Sequence, residues 1–295
     1  RRRGRWSRSV RSWAGPLMTP ADIHDTHLGP GPALALHAET TGNGARVVLA
    51  HGFTQTGRTW GPMAGDLARD HQVISVDLPG HGRSSAVRAD LDTGARLLVD
   101  AGGQGTYLGY SMGARFCLHA ALSFPDQVRS LILISGTAGI EDDGLRRDRV
   151  AADEALASEL DPPLGAAPGH DDQERLGAFL LRWLDRPLFA GIPEAEVGLA
   201  QRRTNTPAGL ASSLRLAGTG TQKSLWDHLP SLEMPVLVIT GERDSKFTAL
   251  GERMAKAIGD NAIHAVVPGV GHTAHLEDPG RVTALVRSHI AAGPK

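Results

Sequence analysis

Short, continuous apolar runs recur along the chain, each followed by a loop of glycine and polar residues and then by a stretch suited to a helix. The runs are residues 47–50 (Val-Val-Leu-Ala), 73–76 (Val-Ile-Ser-Val), 106–108, 128–135, 236–240 and 263–267. Apolar runs of this length, partly β-branched and without polar alternation, predict strands covered on both faces. Helices are predicted at 60–69, 95–101, 114–122, 248–258 and 280–291. Strand, helix and strand in this rhythm imply right-handed βαβ units and a parallel sheet. Binding loops are then expected at the carboxyl ends of the strands.

Between residues 136 and 226 the strand pattern stops. Helical stretches at 142–160, 173–183, 194–203 and 207–216 alternate with Pro/Gly segments such as Asp161-Pro162-Pro163-Leu164-Gly165. A helical block between two buried strands is most simply an inserted cap over the sheet's carboxyl edge. The expected organisation is a core of 33–137 and 227–295, a cap of 138–226, and an N-terminal extension of 1–32 read as disordered. That extension carries Arg1, Arg2, Arg3, Arg5, Arg8 and Arg11 with Trp6 and Trp13, lacks the apolar centre of a secretory signal, and leaves Met18 as a candidate start.

Composition narrows the function classes. With 295 residues, 41% of them hydrophobic, the chain can form one large α/β domain with an insertion. A net charge of −1 supplies no global reason to expect nucleic acid or an anionic membrane as partner. No run of 18 apolar residues is present, so no membrane insertion is expected. One cysteine, Cys117, excludes an internal disulfide and suits a cytoplasmic protein; it is read as a packed thiol.

The candidate chemistry centres on Gly109-Tyr110-Ser111-Met112-Gly113, a G-x-S-x-G between a strand and a helix. In such a corner the flanking glycines let strand and helix approach closely, and the serine hydroxyl stands above the sheet. A serine needs a base, and the base needs a group to hold its tautomer. Asp244 follows the run at 236–240 and His272 the run at 263–267, so Ser111, Asp244 and His272 occur in the chain order of α/β-hydrolase triads. His275 competes for the base and Glu242 for the acid; His272 is preferred because it follows the glycine at the strand exit. The backbone N–H groups of Phe53 and Met112 are the candidate oxyanion donors, and His51 is read as structural.

Cations complete the set. Arg115 lies four residues after Ser111 on the predicted helix, hence on the same face and about 6 Å away. Arg149 and Arg203 in the cap are the other candidates for bidentate recognition of carboxylates. Arg146, Arg147 and Arg202 are read as their solvated neighbours.

With these residues assembled, the chain from about 46 to 290 resembles the α/β-hydrolase superfamily and, within it, the 2-succinyl-6-hydroxy-2,4-cyclohexadiene-1-carboxylate synthases of menaquinone biosynthesis. The motifs are His51-Gly52-Phe53, VDLPGHGRS at 76–84, GYSMGAR at 109–115, GTGTQKSLWDHLP at 218–230, GERDSKF at 241–247 and GHTAH at 271–275. The resemblance implies a mostly parallel, doubly wound sheet with a helical cap, and a lyase that uses Ser111, Asp244 and His272 as a base to expel pyruvate. It implies that Tyr110 flanks the triad, that Arg115, Arg149 and Arg203 hold the carboxylates of a small polyanionic substrate, and that Trp183 is a cap aromatic. No metal or cofactor is implied. Ala114 replaces a usual second glycine, and the helix before Ala101 is expected to be short. A serine carboxylesterase or C–C bond hydrolase would use the same triad with Ser111 as nucleophile; a non-catalytic binding module would not need all three.

Overall fold

The computed structural model describes residues 34–161 and 171–293; the predicted extension at 1–32 and most of the Pro/Gly stretch after Asp161 lie outside the described residues. The first part of the chain runs through β1 (Ala38–Thr41), β2 (Ala45–Ala50), α1 (Gly61–Leu67), β3 (His71–Val76), α2 (Leu91–Gly102), β4 (Gly105–Tyr110), α3 (Met112–Ser123) and β5 (Val128–Ile134). Four helices follow: α4 (Asp143–Leu160), α5 (Asp172–Leu184), α6 (Leu199–Arg202) and α7 (Pro207–Ala217). The chain then returns through β6 (Val236–Gly241), α8 (Ser245–Ile258), β7 (Ala262–Val267), α9 (Ala274–Glu277) and α10 (Pro279–Ala292).

The strands form one seven-stranded sheet in the order β1-β3-β2-β4-β5-β6-β7, parallel except at β1. Leu49, Leu108, Ile132 and Leu237 lie in register across its centre. Alternate side chains feed two cores. Val48, Leu131, Leu133 and Val238 pack with Leu98 of α2 and Phe116 and Leu118 of α3. Val47, Leu49, Leu108, Ile132 and Ile239 pack with Met63 and Leu67 of α1 and Val282 and Val286 of α10. Helices on both faces explain why the central strands are apolar without alternation. Among the described residues no helix is long and apolar enough to cross a membrane.

Three elements depart from the pattern reading. β1, with the sequence Ala-Glu-Thr-Thr, carries no apolar signal; it is an edge strand defined by pairing to β3. The helix expected at 95–101 is longer, running from Leu91 to Gly102 with the Asp90 carboxylate accepting from Thr93 N–H at 2.8 Å. Gly94, a poor helix former in isolation, is needed there because a Cβ would run into the Phe116 ring of α3. The single helix expected at 194–203 is instead a 3-10 turn, Glu194–Glu196, followed by α6. Gly198, at φ 64°, interrupts it and resets the direction in which the following side chains project.

The block between β5 and β6 has its own apolar cluster: Ala157, Leu160, Leu176, Phe179, Leu180, Leu210, Ala211 and Leu214. Phe53, from the loop after β2, packs against it. The loop at the carboxyl end of β2 thus meets this helical block.

Candidate active site

Ser111 occupies the corner between β4 and α3 with φ 51° and ψ −102°, a conformation L-residues rarely adopt. The corner is held by its neighbours. Ser111 N–H donates to the Ile134 carbonyl of β5 at 2.8 Å. A Cβ on Gly113 would strike the Ala50 carbonyl at the end of β2, and one on Gly109 would strike the Gly113 backbone. Strand and helix can therefore cross this closely only as glycine.

The Ser111 hydroxyl lies 3.1 Å from His272 Nε2, and His272 Nδ1–H donates to Asp244 Oδ2 at 2.7 Å. His272 is buried between the Phe247 ring at 4.4 Å and the Tyr110 ring at 5.5 Å. Asp244 also begins α8, its Oδ1 accepting from Phe247 N–H at 3.3 Å. The fold thus brings together the three residues proposed from the sequence. Neither competitor joins them. His275 sits with its ring against Tyr110 at 4.2 Å and Trp60 at 5.0 Å, and burial pushes its pKa down to about 3. Glu242 accepts from Gly269 N–H at 2.8 Å. His51 is fully buried, bonded to the Gly52 carbonyl through Nδ1 and accepting from Leu78 N–H through Nε2, with burial holding its pKa near 4.

Two supports of the imidazole were not visible in the sequence. Ser135, at φ 49° after β5, donates its hydroxyl to the His272 carbonyl at 2.9 Å. Glu277 of α9 accepts from Gly271 N–H at 2.8 Å and from the Thr273 hydroxyl at 2.7 Å, bracketing His272 on both sides. A carboxylate five residues after a histidine signals nothing until the α9 turn folds it back.

A cavity of about 310 Å³ opens in front of Ser111. Phe53, Tyr110, Met112, Arg115, Arg149 and Trp183 line it. Trp183 meets the Phe53 ring at 5.0 Å. Arg115 is buried, donates to the Ala217 carbonyl at 2.7 Å, and is drawn down to a pKa of about 10 by burial and then by Arg149. It remains a cation at neutral pH. Arg149 donates through Nε to Asp153 at 2.8 Å.

Arg203 is the correction. Its side chain is exposed and does not line the cavity, whereas Arg202, read as a solvated neighbour, is 1% exposed and does. The cause is the Gly198 break: α6 is one turn long, and its phase is set by Gly198 rather than by a helix from residue 194. Arg202 donates to the Thr54 hydroxyl and, through Nε, to the Val197 carbonyl at 2.8 Å. Burial lowers its pKa to about 10. Lys246 and Gln55, which the sequence reading did not single out, also line the cavity.

A sequence profile described as the alpha/beta hydrolase family matches residues 47–285. The chain belongs to the alpha/beta hydrolase family. Within this family it is similar to a Bacillus subtilis (strain 168) protein provisionally named 2-succinyl-6-hydroxy-2,4-cyclohexadiene-1-carboxylate synthase, 32% identical over 79% of this chain and 85% of that one. The synthase of that name from Escherichia coli O1:K1 / APEC is 30% identical over 81% of this chain and 90% of its own. Among solved hydrolase-fold structures, MenH from S. aureus superposes with a TM-score of 0.77 at 28% identity, over 87% of this chain and 98% of that one. A thermophilic esterase from Thermogutta terrifontis, solved with malate bound, gives 0.67 at 25% identity, over 87% and 93%.

Proposed function

We propose that this alpha/beta hydrolase-family enzyme is a lyase of menaquinone biosynthesis, eliminating pyruvate from a succinylated cyclohexene-carboxylate precursor to give 2-succinyl-6-hydroxy-2,4-cyclohexadiene-1-carboxylate. The observation that carries the reading is the charge in front of Ser111. Arg115, Arg149, Arg202 and Lys246 line the cavity, and the one carboxylate lining it among the described residues, Asp244, is committed to His272. A neutral ester has no use for such a field. A ligand with three carboxylates does, because guanidinium groups pair with carboxylates in a fixed bidentate geometry. Relatives 32% and 30% identical that bear the synthase name support the same activity.

In this mechanism Asp244 holds His272 with Nδ1 protonated and Nε2 free to accept. The Ser111 hydroxyl proton moves to Nε2 as Oγ takes the proton from the ring carbon beside the succinyl carbonyl. Charge spreads to that carbonyl oxygen, where the Phe53 and Met112 N–H groups receive it. It then returns through the ring, a new double bond forms, and the ring C–O bond to the enolpyruvyl group breaks. The departing enolpyruvate takes up the proton held by the Ser111–His272 pair and leaves as pyruvate. Water never attacks carbon, and Ser111 is never acylated. The helical segment 138–226 acts as the cap that excludes water, and a cytoplasmic location belongs to the same reading.

The test is pyruvate release by purified protein from the menaquinone precursor, followed with a coupled dehydrogenase. One pyruvate per product is expected, and Ser111→Ala or His272→Ala should each lower the rate roughly 10³-fold or more, with the double variant little worse than either. The esterase or C–C hydrolase alternative draws on the strained Ser111 corner, which also suits a nucleophile. An acyl-Ser111 adduct by intact mass, with efficient p-nitrophenyl ester turnover and no pyruvate, would decide for it.

A further inference from the structure

Gln55 follows Thr54, which is held at φ 67°, and is itself 1% exposed. Its backbone N–H donates to the Gly52 carbonyl at 3.1 Å, and its Oε1 accepts from Gly52 N–H at 2.9 Å. One residue therefore closes the Gly52–Gln55 loop twice, and that loop presents Phe53 to the cavity. Because the partner is an N–H, the amide oxygen must face it. The remaining end, Nε2, is buried without a hydrogen-bond partner, although Gln55 lines the cavity. A buried amide donor left unmatched bears its full desolvation cost, which a bound acceptor removes.

A glutamate would accept from Gly52 N–H at least as well, but would set a second anionic oxygen where Nε2 now stands. The amide is favoured over the acid when the ligand arriving at that end is itself an acceptor. In a cavity lined by Arg115, Arg149 and Arg202, that acceptor is an anionic oxygen. We propose that Gln55 is a specificity-determining residue whose Nε2 donates to a carboxylate oxygen of the bound substrate while its Oε1 braces the loop carrying Phe53. The proposal rests on the polycarboxylate reading of the same cavity.

Gln55→Glu and Gln55→Met separate the two ends of the amide. Pyruvate release and calorimetric binding of tricarballylate, a stable tricarboxylate, are measured for both variants and the parent. Gln55→Glu keeps the Gly52 brace, so kcat should stay within about threefold while KM and the tricarballylate Kd rise about 30- to 100-fold through loss of a donor and gain of a charge. Its KM relative to the parent should shrink as pH is lowered from about 8 to 5.5, because the introduced carboxyl group donates again once it is protonated. Gln55→Met loses both ends: KM rises about tenfold, kcat falls, and no rescue by acid appears. A Gln55→Glu protein with KM and Kd within twofold of the parent overturns the contact; if that variant does not fold, an unchanged Kd in Gln55→Met overturns it. A parent that binds no tricarballylate overturns it too. A parent that binds tricarballylate but releases no pyruvate fails the synthase reading alone, and the Kd ratios then decide the Gln55 contact.

Discussion

Arg202 and Arg203 are neighbours in the chain and opposites in environment. Arg202 is buried against Thr54 and the Val197 carbonyl, while Arg203 is exposed. A charge-assisted hydrogen bond from a desolvated guanidinium is worth about 1.5–3 kcal/mol. Arg202→Ala is therefore expected to raise KM for the proposed polycarboxylate substrate about 10- to 100-fold and to lower the melting temperature, and Arg203→Ala to stay within about twofold of the parent. Steady-state kinetics on the pair checks this; equal effects would restore Arg203 to the site. The legible residues here were those tied to short motifs. Ser111, Asp244 and His272 each follow a strand, and a strand end is fixed by pairing. Arg202 was not legible, because the direction of a side chain on a one-turn helix depends on where that helix starts. Gln55 was not legible for a different reason: its significance lies in an unmatched donor, and only a folded neighbourhood has unmatched donors.

At the scale of elements, the corner between β4 and α3 is built on backbone approach. Gly113 faces the Ala50 carbonyl of β2 with no room for a methyl group, and β2 cannot retreat because it is paired on both sides. Gly113→Ala is expected to destabilise the protein by about 3 kcal/mol or more, at or above the upper end of overpacking that shifts the backbone. Ala114→Gly, one residue on, should cost about 2 kcal/mol, the helix-propensity loss plus one buried methyl group. Denaturant unfolding of the two variants checks the contrast, and similar midpoints would mean that the corner yields more easily than its contacts imply. The same scale explains the misjudged elements. β1 is polar and exists through its ladder with β3, and α2 tolerates Gly94 because Phe116 occupies the space a Cβ would need.

Across the whole molecule, buried histidines shape the response to acid, three of them most strongly. Burial depresses His51 to about 4, and His81 and His275 to about 3, from an ordinary value of 6.5. The folded protein keeps them neutral, whereas the unfolded chain takes up their protons once pH falls below about 6.5. Stability is therefore complete above that value and is lost as pH falls through the interval down to the folded pKa values. Each group contributes a slope of at most about 1.4 kcal/mol per pH unit. Denaturant midpoints should be flat between about pH 7 and 8 and fall steeply below 6. His275→Phe, which keeps a ring between Tyr110 and Trp60, should reduce that steepness by about one proton; an unchanged slope would show that His275 titrates normally.

The sequence by itself determined the layered α/β core, the central strands, the corner at Ser111 and the order of the three residues that meet there. It could do so because buried parallel strands and tight glycine corners impose composition on the residues that form them, so the constraint is local and readable. Tertiary structure alone decided which arginine of an adjacent pair enters the cavity, that Ser135 and Glu277 brace the His272 loop, and that Gln55, a residue lining the cavity, holds a buried unmatched donor. Those outcomes depend on the phase of a short helix, on a turn folding back, and on what is missing around an atom. Each is a property of neighbours that are distant in the chain, and no local pattern of apolar and polar positions encodes it.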